Sequence, residues 1–281
     1  MEPTDFSPLQ VIWDLPNNWC EEAHLSGALH HAGRMLQSLG LAERFVFVVT
    51  SVSDQIPMKH PGRVVVLQTS DEGHEIPDYL ADAFMVFKNY KPFDGMRESL
   101  RVIPLGCNKD VPAIPGKPMA QRELDLFFIG RPDFREEFFA GTEAAFSGRD
   151  DITSEIGEAP GFRLGRPPED YARRLADTKI ALSPRGVSHE TFRTYEALRA
   201  GCVVIAQRQL SAWFTEGWPV IEVDDWSDVG DLADDLLGDS ARLEDLSRQS
   251  LAWWQEKCSE EAVAHYVVRE LAIKLIGEAE R

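Results

Sequence analysis

Short apolar runs, separated by polar or glycine- and proline-containing stretches, recur along the first 106 residues. Apolar runs without polar alternation are typical of strands that are buried on both faces of a parallel sheet. The pattern predicts strands over residues 10–14, 45–50, 63–67, 82–87 and 100–105. Apolar residues at helical spacing from Leu25 to Leu36 predict a helix over 20–39 that ends at Gly40. Alternation of this kind indicates a parallel sheet that is covered by helices.

The same alternation resumes after a proline-rich stretch. Residues 107–121 contain three prolines and one glycine with little periodicity, which predicts a linker. Strands are then predicted over 124–129, 180–182, 202–206 and 218–223, and a further strand near 153–156 or Phe162. Helices are predicted over 134–146, 168–176, 227–237 and 243–276. We therefore expect an N-terminal domain of residues 1–106 and a C-terminal domain of residues 122–281, whose last helix can pack back on the first domain.

One stretch, residues 179–206, combines a strand, a tight turn, a helix and a second strand. Pro184 and Gly186 break the first strand, and Arg185 lies between them. Ligands of open α/β sheets bind at the carboxyl ends of the strands, where the N–H groups of a helix start suit a phosphate. Arg185 adds a positive charge with a bidentate fork at the same place.

The helix after this turn is predicted to begin near Ser188 or His189 and to end before Gly201. Arg193 and Glu196 lie one turn apart on it. A cation suits a diphosphate, and a carboxylate suits ribose hydroxyls. The segment therefore has the groups that a nucleotide-sugar site requires.

The segment resembles the donor-site motif of exostosin-type glycosyltransferases. The shared run comprises Pro184-Arg185-Gly186, Ser188, Phe192-Arg193, Glu196-Ala197-Leu198 and Gly201-Cys202. The chain departs from the family at Val204, where proline is usual. The resemblance implies a GT-B-like α/β fold, with two Rossmann-like parallel-sheet domains and a cleft between them. It also implies that the C-terminal domain binds a nucleotide-sugar donor and that the N-terminal domain serves the acceptor.

Two strand-to-helix turns supply the candidate donor-binding residues. The turn after strand 180–182 and the helix start contribute Arg185, Gly186, Ser188, Glu190, Thr191, Phe192, Arg193 and Glu196. Gly130 and Arg131 follow strand 124–129, where glycine permits close approach of the backbone and arginine can meet the donor phosphates. The alternative for Gly130 and Arg131 is an ordinary turn, and the alternative for Glu190 is a helix cap.

Carboxylates follow two strands of the N-terminal half. Asp71, Glu72 and His74 come after the third strand, and a carboxylate there can deprotonate an acceptor hydroxyl as a general base. The alternative is a solvated turn. Asp14, at the end of the first strand, is either a second candidate base or part of an Asx turn. We rank Asp71 ahead of Glu72 and Asp14 as the catalytic base.

The sequence contains no recognised metal-binding spacing and no D-x-D at a predicted strand end. We therefore expect metal-independent transfer, in which Arg185 and the helix start stabilise the departing diphosphate. No cofactor is expected besides the nucleotide sugar, which is a substrate.

Net charge, apolar runs and cysteine spacing limit the kinds of partner and the cell compartment that we expect. The formal net charge is −18, which argues against nucleic-acid binding. No apolar run reaches the roughly 18 residues that a membrane span needs, and the acidic first ten residues do not form a signal peptide. The four cysteines are far apart, which predicts reduced thiols and a cytoplasmic protein.

Three functions fit these features. The first is a glycosyltransferase that acts on a glycan, a lipid-linked glycan or another hydroxyl acceptor. The second is a nucleotide-sugar or glycan binding module without catalysis. The third is a GT-B-like sugar-nucleotide epimerase or phosphorylase. A shared fold does not separate these functions.

Overall fold

The computed structural model describes residues 5–161 and 164–280. The chain divides into two compact units. Unit 1 comprises Met1–Gly106, Ala212–Phe214 and Lys257–Arg281, and unit 2 comprises Cys107–Ser211 and Thr215–Glu256. The predicted linker, residues 107–121, is grouped with unit 2. Phe162, one of two places predicted for a strand, lies outside the described residues.

The elements follow the predicted order closely. The strands are β1 (Gln10–Asp14), β2 (Val46–Thr50), β3 (Val64–Gln68), β4 (Met85–Lys88), β5 (Leu100–Val102), β6 (Leu124–Gly130), β7 (Ser154–Glu158), β8 (Thr178–Ser183), β9 (Val203–Gln207) and β10 (Ile221–Val223). The helices are α1 (Glu22–Ser38), α2 (Glu136–Phe146), α3 (Pro168–Ala176), α4 (Phe192–Arg199), α5 (Val229–Leu237), α6 (Ser240–Trp253) and α7 (Glu260–Ala279).

Each unit contains one parallel sheet. In unit 1 the strand order is β1-β2-β3-β4-β5, and in unit 2 it is β10-β9-β8-β6-β7. Neighbouring strands pair in parallel throughout both sheets. Because the strands are parallel, the turns after β1, β3 and β4 share one edge of the first sheet, and the turns after β6, β8 and β9 share one edge of the second. This architecture confirms the predicted α/β class with two parallel-sheet units.

The prediction of a single helix over 243–276 is wrong. Helix α6 ends at Trp253, the next five residues form a π-helical turn at Trp254–Cys258, and α7 begins at Glu260. Ser259 has extended backbone angles and its Oγ accepts a hydrogen bond from Ala262 N at 3.2 Å. The break therefore comes from a serine N-cap, which apolar periodicity does not register.

The core of unit 1 is built on both faces of its sheet. On one face, α1 and α7 cover β2, β3 and β4, with Leu25, Leu29, Val267 and Leu271 among the buried side chains. The other face is covered by the loops around Tyr79 and Ile56. Strands β2 and β3 are buried at every position, which explains why they have unbroken apolar sequences.

Helix α7 packs closely against α1 inside unit 1. A Cβ atom at Gly27 would lie 2.7 Å from Glu260 Cγ, so a larger residue would separate the two helices. Arg101 Nε donates to Glu270 Oε2 at 2.6 Å, and Lys274 Nζ donates to Ser99 Oγ at 2.8 Å. Helix α7 therefore completes the packing of unit 1.

Residues 107–121 are held on unit 2 by Arg122. This buried side chain donates to the carbonyl oxygens of Lys117 at 2.8 Å, Thr178 at 2.6 Å and Ala200 at 3.0 Å. The guanidinium therefore joins the stretch to β8 and to the end of α4. Within the described part of the chain, none of the helices has the length and apolarity that a bilayer crossing demands.

Candidate functional site

The turn from β8 to α4 begins at a buried serine. Ser183 Oγ lies 3.1 Å from Thr191 Oγ1 and 2.8 Å from Thr194 Oγ1. Thr191 is the N-cap of α4, with φ −137° and ψ 152°. The predicted helix start near Ser188 or His189 is therefore wrong. The hydroxyl contacts hold 184–191 as an irregular turn, and helical geometry begins only at Phe192.

Arg185 folds onto its own turn. Its Nε donates to Gly186 O at 3.3 Å and its Nη2 donates to Val187 O at 3.0 Å. Gly186 N donates to Ser188 O at 2.9 Å, which closes the turn. The Arg185 side chain is half-buried, and both of these hydrogen bonds go to backbone carbonyl oxygens.

A second arginine, Arg135, lies against this turn and was not predicted from the sequence. A Cβ atom at Gly186 would lie 3.2 Å from Arg135 Nη2. Arg135 Nη1 donates to Arg131 O at 2.6 Å, and the guanidinium lies 5.4 Å from the centre of the Phe128 ring. Its Nε is buried and has no hydrogen-bond partner among the described residues.

Burial, together with the positive charges of Arg193 and Arg131, lowers the pKa of Arg135 to about 10. Asp133 acts in the opposite direction but also binds Arg131, whose Nε donates to Asp133 Oδ2 at 2.8 Å. Three arginines thus lie near the carboxyl edge of β6 and β8 with two carboxylates, since Arg131 pairs with Asp133 and Arg193 with Glu196, and Arg135 is the arginine without an ion-pair partner among the described residues. An excess of positive charge at this edge suits a phosphate group.

Arg193 and Glu196 are brought together, as their spacing predicts. Arg193 Nη1 lies 3.5 Å from Glu196 Oε2, and the guanidinium lies 4.9 Å from the centre of the Tyr171 ring. Burial would lower the pKa of Arg193, but Tyr171 and Glu196 outweigh it and the net shift is upward. Burial beside Glu196 also raises the pKa of Tyr171.

Glu196 is only 1% exposed. Its Oε1 accepts a hydrogen bond from Asn108 N at 3.4 Å, and its Oε2 has no hydrogen-bond partner among the described residues. The carboxylate lines a small recess beside Val111 and Pro112. Glu196 is therefore closed to solvent in this arrangement, with the backbone of Asn108 bound to it.

The remaining predicted donor residues have defined structural partners. Gly130 is buried, and a Cβ atom there would lie 2.5 Å from Phe128 Cζ, so packing alone accounts for this glycine. Glu190 Oε1 accepts from Tyr195 Oη at 2.6 Å, and Glu190 N donates to Ser188 Oγ at 3.3 Å. Phe192 is half-buried at the first position of α4.

The predicted bases lie at the carboxyl edge of the unit 1 sheet, in three different settings. Asp71 is buried and its Oδ2 accepts hydrogen bonds from Lys88 Nζ and, at 2.9 Å, from Glu75 N. Lys88 is fully buried, and burial lowers its pKa against the opposing effect of Asp71. Glu72 is exposed. Asp14 is exposed at the end of β1 and accepts from Thr50 Oγ1 at 3.1 Å.

A fourth carboxylate at this edge, Glu21, was missed. It is 2% exposed at the residue before α1, and its Oε1 accepts from Ser70 Oγ at 2.5 Å. Burial raises the pKa of Glu21, an effect that the bond from Ser70 opposes and the charge of Glu72 reinforces. In the sequence Glu21 is indistinguishable from the acidic residues that often begin helices, so no pattern marks it as buried.

The backbone of the same edge is strained at several positions. Four residues other than glycine have left-handed φ angles between 57° and 69°: Asn18, Ser70, His74 and Tyr90. They follow β1, β3 and β4. Such angles are costly for non-glycine residues and are concentrated at functional sites. His74 is also fixed by its Nδ1 contact with Lys91 O at 2.8 Å and by stacking on Phe93 at 4.3 Å.

No group of three or more histidine, cysteine, aspartate or glutamate side chains that could hold a metal ion occurs within residues 5–161 and 164–280. The cysteines are free thiols, and three of them, Cys107, Cys202 and Cys258, are buried.

Comparison with known proteins gives one family match. Residues 133–272 match the model of a family described as glycosyl transferase-like. No protein with a curated description matches the sequence significantly.

Several solved structures are similar in fold. An α-glucosyltransferase in complex with UDP and a DNA containing an HMU base is 9% identical, with 86% of this chain and 84% of that chain covered and a TM-score of 0.53. The N-terminal domain of Candida albicans trehalose-6-phosphate phosphatase is also 9% identical, with 92% and 77% covered and a TM-score of 0.53.

A TarM mutant from S. aureus, in complex with Fondaparinux, alpha-GlcNAc-glycerol and UDP, is 12% identical, with 88% of this chain and 59% of that chain covered and a TM-score of 0.51. The chain thus spans about three-fifths of the length of TarM, and likewise 60% of the matched chain of the GtfA/B complex. At these identities the similarity establishes the fold. The chain has a GT-B-like α/β fold, and residues 133–272 are similar to a family described as glycosyl transferase-like.

Proposed function

We propose that the protein is a glycosyltransferase of the exostosin type that moves a sugar from a nucleotide-sugar donor to a hydroxyl acceptor, a glycan or a lipid-linked glycan. The observation that carries the proposal is the group of Arg131, Arg135 and Arg193 at the carboxyl edge of β6 and β8. Burial and like charge lower the pKa of Arg135, and its Nε has no partner among the described residues. The matching family model supports the same function.

In this proposal unit 2 binds the donor. Arg135 and Arg185 bind the diphosphate, and Arg185 exchanges the carbonyls of its own turn for phosphate oxygens. Carbonyl oxygens are neutral acceptors, and a charged phosphate forms the stronger hydrogen bond with a guanidinium. Glu196 binds the ribose once Asn108 has moved. The arginines stabilise the charge of the departing diphosphate, so the transfer needs no metal ion.

Unit 1 serves the acceptor in this proposal, and a carboxylate at the edge after β3 accepts the proton of its hydroxyl. Asp71 remains a proposed base, although its Oδ2 is engaged by Lys88 and Glu75 N. Glu72 and Asp14 are the exposed alternatives. We also propose a cytoplasmic location, because the free thiols suit a reducing compartment.

The test is a thermal-shift screen with UDP, GDP, TDP and the corresponding nucleotide sugars, since a ligand that binds only the native state raises the melting temperature. Arg185→Ala should weaken binding of the best nucleotide by about 1.5–3 kcal/mol, the usual value of a charge-assisted hydrogen bond. The control is Arg173→Ala, because Arg173 is exposed on α3 and pairs there with Glu169 and Asp170. Equal affinity in wild type and Arg185→Ala would contradict the donor-site assignment.

A second candidate function is a nucleotide-sugar or glycan binding module without catalysis. The observation in its favour is that the first-ranked base, Asp71, is held in a buried ion pair. The two functions differ in turnover. A transferase moves the sugar of its donor to an acceptor or to water and releases nucleoside diphosphate. A binding module leaves the donor intact.

A further inference from the structure

Glu21 and Ser70 form a pair that the proposed donor site does not use. Ser70 Oγ donates a short hydrogen bond of 2.5 Å to Glu21 Oε1. The carboxylate is 2% exposed, while the serine is only half-buried at the carboxyl edge of β3. Ser70 is therefore partly exposed to solution, whereas the carboxylate behind it is not.

The position of Ser70 is fixed by a hydrogen-bond network of the preceding residue. Ser70 has φ 59°, a left-handed angle that costs free energy for any residue with a Cβ atom. The preceding Thr69 donates from Oγ1 to Asn89 Oδ1 at 2.7 Å, and Asn89 Nδ2 donates to Ile103 O at 3.2 Å and Pro104 O at 3.0 Å. This network fixes the ends of β3 and β4. A costly backbone angle is thus maintained where it directs the hydroxyl at Glu21.

The charges around Glu21 favour proton uptake. Burial raises the pKa of Glu21, and the negative charge of Glu72 adds to the effect, while the hydrogen bonds from Ser70 and Thr69 act against it. Asp71 differs, because it is bound to the buried ammonium group of Lys88. Both contacts of Asp71 are therefore to groups of the protein interior, whereas Glu21 accepts a hydrogen bond from a serine that is partly exposed.

We propose that Ser70 and Glu21 act as a relay that accepts the proton of the acceptor hydroxyl during glycosyl transfer. The proposal rests on the proposed function and specifies its acceptor side. Ser70 contacts the acceptor, and Glu21 is the positioning residue behind it that takes the proton.

In this step one sugar and one proton are transferred. The acceptor oxygen forms a bond with the anomeric carbon of the donor sugar, and the bond between that carbon and the diphosphate oxygen breaks, with its electron pair leaving on the diphosphate. The acceptor proton passes to Ser70 Oγ while the Ser70 proton passes to Glu21 Oε1. Glu21 ends neutral and returns its proton through Ser70 Oγ to water before the next cycle. A single displacement of this kind inverts the anomeric centre.

The decisive variant is Glu21→Gln, which keeps an oxygen to accept the hydrogen bond from Ser70 but cannot take up a proton. Ser70→Gly removes the hydroxyl and tolerates the left-handed φ angle. The control is Glu22→Gln, which removes the adjacent carboxylate in the first turn of α1. Hydrolysis of UDP-glucose, UDP-N-acetylglucosamine and GDP-mannose, with water as the acceptor, is followed from pH 5 to pH 9, together with nucleotide affinity.

Glu21→Gln and Ser70→Gly should lower turnover by about 10²–10⁴-fold at neutral pH, the usual contribution of a general base, with unchanged nucleotide affinity. Turnover of the wild type should fall on the acidic side of the profile as Glu21 becomes protonated, and this limb should be absent in Glu21→Gln. Turnover of Glu21→Gln at the wild-type rate with an unchanged profile would overturn the relay alone. Lack of turnover of every donor by the wild type would overturn the relay and the proposed function together.

A measurement without ligand gives a second check. The folded-state pKa of Glu21 is raised above its ordinary value of 4.5, so its contribution to stability is full below that pH and is lost as the pH rises through the folded-state pKa. The wild type should therefore lose urea resistance over this interval relative to Glu21→Gln. Parallel pH curves for the two proteins would mean that Glu21 has no raised basicity and would overturn the relay.

Discussion

The side chain of Arg135 has a buried N–H donor, Nε, without a hydrogen-bond partner among the described residues. Among the described residues its side chain donates one hydrogen bond, to Arg131 O, and it is near the charges of Arg131 and Arg193. An arginine that is left in this position without a ligand lowers the stability of the folded chain, because its charge is partly desolvated and repelled. A phosphate would relieve both effects. Removal of Arg135 should therefore weaken ligand binding while changing the stability of the unliganded chain little.

We expect Arg135→Gln to bind nucleoside diphosphate on the order of tenfold to a hundredfold more weakly, the loss of one charge-assisted hydrogen bond. Without ligand, its unfolding free energy should stay within about 1 kcal/mol of wild type, because the lost hydrogen bond is offset by removal of the repulsion. Calorimetry with UDP and urea unfolding measure the two quantities. A fall in stability without a fall in affinity would show that Arg135 is only a structural residue.

The pair of Lys88 and Asp71 leads to a different prediction. Both side chains are buried, so Asp71→Ala leaves an ammonium group in the interior without its carboxylate. The expected cost is about 3–5 kcal/mol. The double variant Asp71→Ala/Lys88→Met should recover most of it, since the uncompensated charge is gone. Urea unfolding of the single and double variants checks this, and an additive loss in the double variant would contradict the pair as described.

Only part of this chemistry could be predicted from the sequence. The run that includes Arg185 and Glu196 is a local motif, and local spacing places both residues around one turn. Arg135 and Glu21 acquire their character from residues that are distant in sequence, Gly186 in one case and Ser70 in the other. Burial of a charged side chain depends on packing between elements, and periodicity within one element does not report it.

Among the elements, the strands were the most predictable and the helix ends the least. Apolar runs identify β2, β3 and β8 directly because these strands are buried along most or all of their length. The start of α4 depends instead on the contact of Thr191 with Ser183, and the break before α7 depends on the cap at Ser259. Both are hydrogen bonds of single hydroxyl groups, and neither changes the apolar pattern.

Gly106, at the end of unit 1, has a packing role that can be measured. It has φ 76°, and a Cβ atom there would overlap the imidazole ring of His24. Gly95 has a similar φ of 83° with no atom within 4 Å of such a Cβ position. Gly95→Ala should cost about 1 kcal/mol for the backbone angle alone, whereas Gly106→Ala should cost about 2–4 kcal/mol through the added overlap. Equal losses in urea unfolding would rule out the contact with His24.

At the scale of the whole molecule, unit 1 depends on the last helix. Val263, Val267 and Leu271 of α7 are buried in the same core as Leu25 and Leu29 of α1. Removal of residues 257–281 would expose this apolar face to water, at a cost of about 25 cal/mol for each Å². We expect the truncated chain to aggregate or to bind a hydrophobic dye, with loss of the native unfolding transition of unit 1.

The matched control for this truncation removes only residues 278–281. The described residues of that end, 278–280, are exposed, so the shorter deletion should unfold at the wild-type urea concentration. A soluble, cooperatively folded protein that lacks residues 257–281 would contradict the dependence of unit 1 on α7.

The return of α7 to unit 1 also sets an order of events on the ribosome. The residues of α1 and the first sheet are synthesised before unit 2, whereas α7, the helix that covers them, is synthesised after it. All of unit 2 is made in between, and its segments, Cys107–Ser211 and Thr215–Glu256, are complete before α7 exists. Unit 2 can therefore fold while translation continues, whereas the earlier-made unit must wait with an apolar surface uncovered. Nascent chains of this protein should consequently engage chaperones mainly through the residues of α1 and the first sheet.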